Sequence, residues 1–270
     1  MRIKRRYLYY KGHGFWPNLT SPTRFSEKIN WRILNDRRPL LAPTCDKLRN
    51  RAFARDRTGI RLSELYWVGH DVAELATVAL PERWVLKPNH SSGKIYIGSG
   101  TPDIADIRLC TKGWEENTYA RDWGEWAYSQ ADKALLVEGW LGDSDDPPLD
   151  YRFYVFDGHC HLVGVDHIDA SNHLARRRRF YRPDWTPLEA TNQWPLDEIR
   201  PPPLRLAEML AVAETLAEGF DMLRVDLYEV EGEIYFGELT TYPSGGLKSF
   251  DPGELDRELG AAWRLPDLVS

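Results

Sequence analysis

Arg224, Asp226 and Glu238 carry the strongest chemical signal in the chain. They stand in Leu223-Arg224-Val225-Asp226-Leu227-Tyr228 and Tyr235-Phe236-Gly237-Glu238-Leu239-Thr240, two apolar runs separated by Glu229 to Glu233. β-Branched and aromatic residues favour strands, and Glu231-Gly232 reads as the turn of a hairpin. Arg224 precedes Asp226 by two residues, so the strand period sets both side chains on one face. Asp226 and Glu238 fall on neighbouring strands and are able to share that face. Carboxylates that close repel each other and desolvate badly unless a cation holds them. An Arg, an Asp and a Glu on one sheet face therefore suggest a metal ion and a phosphate.

Lys87 adds to this picture. It ends the apolar run Arg83-Trp84-Val85-Leu86 and is followed by Pro88 and Asn89-His90-Ser91-Ser92-Gly93. An ammonium is a compact charge suited to phosphate oxygens, and small residues let backbone amides approach an anion. The bland alternative is a lysine snorkelling from a strand end. Neither GxxxxGK[ST] nor GxGxxG is present, so the loop is no Walker or Rossmann fingerprint. Glu138 follows Lys133 to Val137 and precedes Gly139-Trp140; it reads as an acceptor for an adenine amine or ribose hydroxyl, or as half of a surface ion pair. Arg152, two residues after Asp150, suits a phosphate or carboxylate; a cross-strand salt bridge to Asp166 is the alternative. Arg176 to Arg179 reads first as a solvated charge run and second as a flap over an anionic substrate. The seven histidines, His173 among them, show no HExxH-like spacing. His90, beside the small-residue loop, is the one best placed for chemistry.

The elements that must position these groups follow from periodicity. Phe25, Ile29 and Ile33 recur at i, i+4 and i+8 in a helix opening near Thr23. Asp46 to Arg57 forms a second, basic helix stopped by Thr58-Gly59. Leu65 to Val68 is a short strand and 71–81 a short helical piece. Arg83 to Pro88, Lys94 to Ile97 and Lys133 to Glu138 are strands, with an aromatic-rich helix over 114–131. After a polar loop at Gly142 to Pro148, Tyr151 to Phe156 and His161 to Val165 form a hairpin across Asp157-Gly158. Residues 167–203 read as irregular, and Leu204 to Gly219 as an amphipathic helix. The expected organisation is a helical, substrate-binding region at 1–80, a first lobe at 81–141 and a second lobe at 142–270, with a cleft between two α+β lobes.

The chain has 270 residues, 28% charged and 42% hydrophobic, which is ordinary for a globular protein. A net charge of −6 argues against bulk nucleic-acid binding. Cys45, Cys110 and Cys160 include no CxxC pair, which favours a reducing, cytoplasmic setting. No run approaches the length of a membrane span or a signal peptide. The basic start, Met1 to Arg6, reads as a solvated tail, with contact to an anionic membrane surface as the alternative.

Taken in order, these segments resemble the TupA-like branch of the ATP-grasp superfamily, named for teichuronopeptide biosynthesis. Phe25-Ser26-Glu27-Lys28-Ile29-Asn30-Trp31 is similar to its F-x-E-K-I-x-W element, and Asp46-Lys47 with Arg51 to its D-K-x-x-x-R. Leu80-Pro81 and Val85 to Gly93 resemble its LP…FVLKxNHGSG segment, Asp150 to Phe153 its DYK/R strand, and the Arg224 and Glu238 runs its RVDLY…YFGELT pair. The resemblance implies two α+β lobes with ATP in a cleft between two antiparallel sheets. It makes Asp226 and Glu238 Mg²⁺ ligands, with Thr240 where the superfamily usually has Asn. Lys47 and Lys87 hold phosphates, His90, Ser91, Ser92 and Gly93 form the phosphate loop, and Glu138 takes the adenine–ribose end. Ser91 stands where the branch usually has Gly. Arg224, with Arg152, stabilises the acyl-phosphate and the tetrahedral intermediate. The implied activity is that of an ADP-forming, carbon–nitrogen ligase. It acts on a small-molecule carboxylate and amine, including sugar-nucleotide or glycan-linked forms, in surface polysaccharide or peptide-conjugate biosynthesis. Two alternatives are an ATP-grasp phosphotransferase and a non-catalytic nucleotide-binding partner of a glycosyltransferase.

Overall fold

Two-residue turns with left-handed backbone set the strand pairing. Asp157-Gly158 (φ 46° and 83°) and Glu231-Gly232 (φ 53° and 75°) each close a hairpin of the type that matches strand twist. The computed structural model describes residues 1–116, 118–169 and 175–268, so Asn117 and His173 lie outside it. Strands β1 (Leu65–Gly69), β2 (Arg83–Pro88), β3 (Tyr96–Ser99) and β4 (Leu135–Gly139) form a small antiparallel sheet in the order β1-β4-β2-β3. Strands β5 (Asp150–Phe156), β6 (His159–Ile168), β7 (Arg176–Tyr181), β8 (Pro187–Leu188), β9 (Met222–Val230) and β10 (Glu233–Thr240) form a larger one, β10-β9-β5-β6-β7-β8. The helices are α1 (Arg2–His13), α2 (Phe25–Asn35), α3 (Lys47–Thr58), α4 (Ile104–Cys110), α5 (Leu206–Ala217) and α6 (Glu254–Ala262).

One face of the large sheet, with Tyr151, Phe153, Val225 and Leu227, shares a core with Met209, Ala213 and Leu216 of α5. Burying each such large apolar side chain is worth roughly 1.5–3 kcal/mol. The other face is divided. At its Tyr154–Phe156 end Phe25 of α2 packs on it, with ring centroids 6.0 and 5.8 Å from those of Tyr154 and Phe156. At its Asp150–Arg152 end it is charged. The small sheet has its own core, in which Trp84, Leu86 and Val137 meet Ile107 of α4.

Four expectations need correction. Residues 114–131 form no long helix: Gly113 and Gly124 adopt left-handed φ (78° and 72°), and only single turns, Tyr119–Trp123 and Trp126–Gln130, lie between and after them. The helix of this region is α4, capped by Asp103, which accepts from the amides of Ala105 (3.0 Å) and Asp106 (3.1 Å). The N-terminus is no tail but α1, whose Arg5 is buried and donates to Asn30 Oδ1 (2.9 Å) and to the carbonyl of Gly245. Arg176 to Arg179 is neither a solvated run nor a flap; it is β7, paired with β6 so that Arg178 lies opposite Asp166. Finally, the returning strand is shifted to Tyr96–Ser99, because the ladder opposes Tyr96 to Leu86 and Ser99 to Arg83. The small sheet also takes β1 from the segment before residue 81.

Candidate functional site

Gly237 decides what the two acids can do. In an unbroken ladder, the Val230–Glu233 pair next to the turn would set Asp226 opposite Gly237 and turn Glu238 to the other face. A bulge between Phe236 and Glu238 instead makes Glu238 the partner of Asp226. A Cβ at Gly237 would lie 2.8 Å from the carbonyl oxygen of Asp226, so the bulge requires glycine. With both acids on one face, Arg224 donates to Asp226 from Nε (2.7 Å) and Nη2 (2.6 Å) and to Glu238 Oε1 (2.8 Å). The Thr240 hydroxyl accepts from Arg224 (2.9 Å) and donates to the same Glu238 oxygen (3.1 Å).

The neighbouring strand extends the network. Arg152 lies opposite Asp226 in the ladder, 3.7 Å from its carboxylate, and also pairs with Asp150 (2.6 Å) and Asp166 (3.2 Å). Asp166 is buried and is also held by Arg178 in a two-point contact. Burial works against its charge, but Arg152 and Arg178 keep its pKa below the usual carboxylate range. The two acids of the hairpin are pushed apart. Burial, with the nearby charges of Asp150 and Glu238, lifts Asp226 to about 7 against the pull of Arg224. Burial also opposes ionisation of Glu238, yet Arg224, Lys47 and Arg152 outweigh it and hold Glu238 down at about 2.

In the small sheet, Lys87 and Glu138 sit on one face and form an ion pair, and Glu138 is also bound by Arg51. Arg51 donates in turn to the Ser63 hydroxyl (2.9 Å). The loop after β2 is fixed from several sides. Asn89 accepts from the amide of Leu48 (2.9 Å) and donates to the carbonyl of Asp132 (2.8 Å). Lys47 donates from its ammonium to the carbonyl of Ser91, and the Tyr119 hydroxyl donates to that of Ser92 (3.0 Å). Gly93 takes the left-handed φ of 72° that ends the loop. Within this frame the Ser91 hydroxyl and both ring nitrogens of His90 are buried without a hydrogen bond. Burial lowers the His90 pKa despite the nearby carbonyl of Glu115. Lys47 links the two halves: burial lowers its pKa to about 8, Glu238 raises it, and Lys87 lowers it.

A family model described as TupA-like ATPgrasp matches residues 27–264. The chain belongs to the TupA-like ATP-grasp family. The two antiparallel sheets are thus the lobes of an α+β ATP-grasp fold. Among solved structures, the D-alanine–D-alanine ligase of Helicobacter pylori is 16% identical, with 84% of this chain and 60% of that one covered at a TM-score of 0.46. The corresponding ligase of Bacillus anthracis, complexed with ATP, is 15% identical over 73% of this chain and 55% of that one, at 0.44. The L-amino acid ligase of Bacillus licheniformis is 12% identical over 75% and 41%, at 0.46. The chain therefore spans about half the length of the solved structures it matches. No curated protein matches it.

The residues of this ATP-grasp chain suit a magnesium nucleotide in their chemistry. Among the described residues no three or more His, Cys, Asp or Glu side chains gather as a metal site. Mg²⁺, however, typically takes one or two carboxylates and completes its shell with phosphate oxygens and water. Asp226 and Glu238 are such a pair. The unsatisfied Ser91 hydroxyl is the second sign, since a buried polar group without a partner costs about 1–3 kcal/mol. A phosphate oxygen would accept from it.

The sequence set Arg224 and Asp226 on one face and allowed Glu238 to share it; the structure joins the three there, and Arg152 and Thr240 lie with them. It also unites Lys47, His90, Ser91, Ser92 and Gly93 around one loop. Glu138 lies further along the small sheet, with its carboxylate already engaged by Lys87 and Arg51. The alternative reading of Arg152, a cross-strand salt bridge to Asp166, is present at 3.2 Å. Arg178 was missed as part of this network, hidden in a four-arginine run that shows no alternation.

Proposed function

We propose that the protein is an ATP-dependent carboxylate–amine ligase that forms an amide through an acyl-phosphate and releases ADP and phosphate. The observation that carries this reading is the convergence of Arg224, Asp226 and Glu238 on one sheet face, with Lys47 at the start of α3 held to the Ser91 carbonyl of the phosphate loop and within reach of the charge of Glu238. Asp226 and Glu238 would hold Mg²⁺, whose charge supports phosphoryl transfer by drawing negative charge from the phosphates. Lys47, Lys87 and the Ser91-Ser92-Gly93 loop would hold the phosphates, and the apolar face around Val85 and Ile97 would take the adenine. Glu138 would orient Lys87 and meet the ribose end.

The chemistry is a two-step exchange. An oxygen of the acid attacks the γ-phosphorus as the bond to ADP breaks; the neutral amine then attacks the acyl carbon, the bond from that carbon to the phosphate oxygen breaks, and the departing phosphate takes up the proton the amine loses. Arg224, with five N–H donors in a fixed fork, is suited to the oxygens on which charge develops in both steps. Arg152, already beside Asp226, would hold the acid. We further propose that the products serve surface polysaccharide or peptide-conjugate assembly in the cytoplasm. The test is ADP release from Mg-ATP across panels of uronic acids, amino acids and amines. Release that needs both an acid and an amine supports the ligase. Phosphorylation of an acceptor hydroxyl without any amine would replace it with a phosphotransferase.

A further inference from the structure

Helix α1 is anchored by one side and presents a differently built side to solvent. On the anchored side Arg5 is buried on Asn30, and the Tyr9 hydroxyl pairs with Ser26 at 2.9 Å. Gly12 lies so close to the carbonyl of Leu247 that a Cβ would come within 2.2 Å of it. On the outer side Ile3, Tyr7 and Tyr10 recur at i, i+4 and i+7 and are 86%, 54% and 41% exposed. At 100° per residue they form one stripe. Arg2 and Arg6 border it on one side and Lys4 and Lys11 on the other, all four exposed. Trp16, also exposed, stacks on Tyr10 with ring centroids 4.7 Å apart and lengthens the stripe. No acid occurs before Glu27, although the chain as a whole carries −6.

We propose that α1 docks the protein on an anionic lipid bilayer. An apolar stripe bordered by cations on a solvent-facing helix is the arrangement of interfacial helices: aliphatic groups reach the acyl boundary, Tyr and Trp lie at headgroup depth, and basic side chains meet lipid phosphates. Lys and Arg stems lie along the apolar surface while their charges reach outward. A nucleic acid or an acidic protein would use the cations and leave Ile3 in water. A second copy of α1 would bring like charges together. The family model matches residues 27–264, and α1 precedes the matched segment. Docking would also bring the nucleotide loop near the bilayer, since Arg5 contacts the carbonyl of Trp123 (3.4 Å) and Tyr119 of the same turn holds Ser92.

The test is co-sedimentation of the full chain with phosphatidylcholine vesicles, with and without a one-third share of phosphatidylglycerol, at low and high salt. Binding to the anionic vesicles should be at least about tenfold tighter and should weaken with salt. Lys4→Glu and Arg6→Glu should each weaken it about fivefold or more. Ile3→Ser with Tyr7→Ser should weaken it with the charge unchanged, and circular dichroism checks that the exposed substitutions leave the fold intact. Three results would overturn the proposal: equal binding to neutral vesicles, no binding to anionic ones, or an Ile3→Ser/Tyr7→Ser variant that binds like the wild type. Tighter binding to heparin or RNA than to vesicles would assign the surface to a soluble polyanion instead.

Discussion

The open faces of the two sheets are built on opposite principles. On the large sheet Arg152, Arg176, Arg178 and Arg224 are matched by Asp150, Asp166, Asp226 and Glu238, a self-neutralising network linked by contacts of 3.7 Å or less. On the small sheet the corresponding face has an apolar middle, Val85 and Ile97 opposite each other in the ladder, beside an ionic knot of Lys87, Glu138 and Arg51, with Arg83 paired to Asp145 at the far end of β2. The difference teaches how the work is divided. A network that neutralises itself has little pull on a lone cation, so its carboxylates should take a metal chiefly when phosphates arrive with it. An apolar face offers area to a flat ring and little to a charge. Changes on the large sheet should therefore act on kcat, and changes toward the small sheet on nucleotide KM.

The sharpest break in this comparison is Glu238→Gln. The amide keeps the shape and loses the charge, so ADP formation should fall on the order of 10³-fold, the loss expected when one preorganised electrostatic partner is removed. Nucleotide KM should change little and the thermal midpoint should move by only a few degrees. ADP formation at the wild-type rate would remove Glu238 from the reaction. Gly237→Ala tests the same corner without touching a charge. Its Cβ would press on the Asp226 carbonyl at 2.8 Å, and relief by straightening the bulge would turn Glu238 away from the face. A displacement of about 1 Å is enough to cost about 10²-fold in kcat. Retained activity in Gly237→Ala would mean that Glu238 need not stand opposite Asp226.

That bulge also marks where the sequence stops being legible. The Asp226 and Glu238 strands and their turn could be read because alternation and Glu231-Gly232 point to the same hairpin. Their shared face depends on one extra residue, and a glycine inside a strand only hints at that. The α2 and α5 helices were readable from their apolar periods, and α3 from Asp46 and Gly59 at its ends. The 114–131 segment misled because its many aromatics resemble a helix face, while two left-handed glycines decide the backbone. Arg5 could not be read at all. A basic run at a chain start is ordinary, and the distant Asn30 and the carbonyls of Gly245 and Trp123 explain why one of its arginines is buried. Lys47 gave no local signal beyond the resemblance, since the Ser91 carbonyl it meets and the Glu238 charge it feels both come from distant segments.

Lys47 sharpens the comparison because it donates to the Ser91 carbonyl after β2 and feels the charge of Glu238 on the large sheet. Its ammonium is held at about 8 by burial, below the ordinary 10.5, so the folded chain releases this proton before the unfolded chain does. Between these two values the unfolded state binds more protons, and this lysine's contribution to stability rises with pH. At neutral pH its charge is thus a cost to the fold. Lys47→Met should raise stability at pH 7 by about 1 kcal/mol, as removal of a strained functional group commonly does. The same change should raise nucleotide KM about tenfold or more. In the wild type, affinity for the nucleotide should decline as pH rises through about 8, approaching tenfold per unit, because the free site must take up a proton to bind phosphate. Isothermal titration across pH 7 to about 9.5 reads both effects. Loss of stability together with loss of binding would make Lys47 a structural residue instead.

Thr240 should give the smallest effect and the finest distinction. Its hydroxyl donates to Glu238 at 3.1 Å and accepts from Arg224 at 2.9 Å, so it orients one acid and one base with its single proton already committed. A hydroxyl so engaged can position Glu238 without meeting a metal. Thr240→Val removes both hydrogen bonds at nearly constant volume and should cost about 1 kcal/mol. In an activity titration this would appear as an approximately fivefold rise in the Mg²⁺ concentration needed for half-maximal rate. Thr240→Ser keeps the hydroxyl and should stay near the wild type. A metal ligand would behave differently, since loss of a coordinating oxygen would change which divalent ion supports the reaction as well as how much is needed. The ratio of Mg²⁺- to Mn²⁺-supported rates in Thr240→Val therefore separates the two roles: an unchanged ratio keeps Thr240 as the residue that holds Glu238 in place, and an altered ratio makes it a ligand.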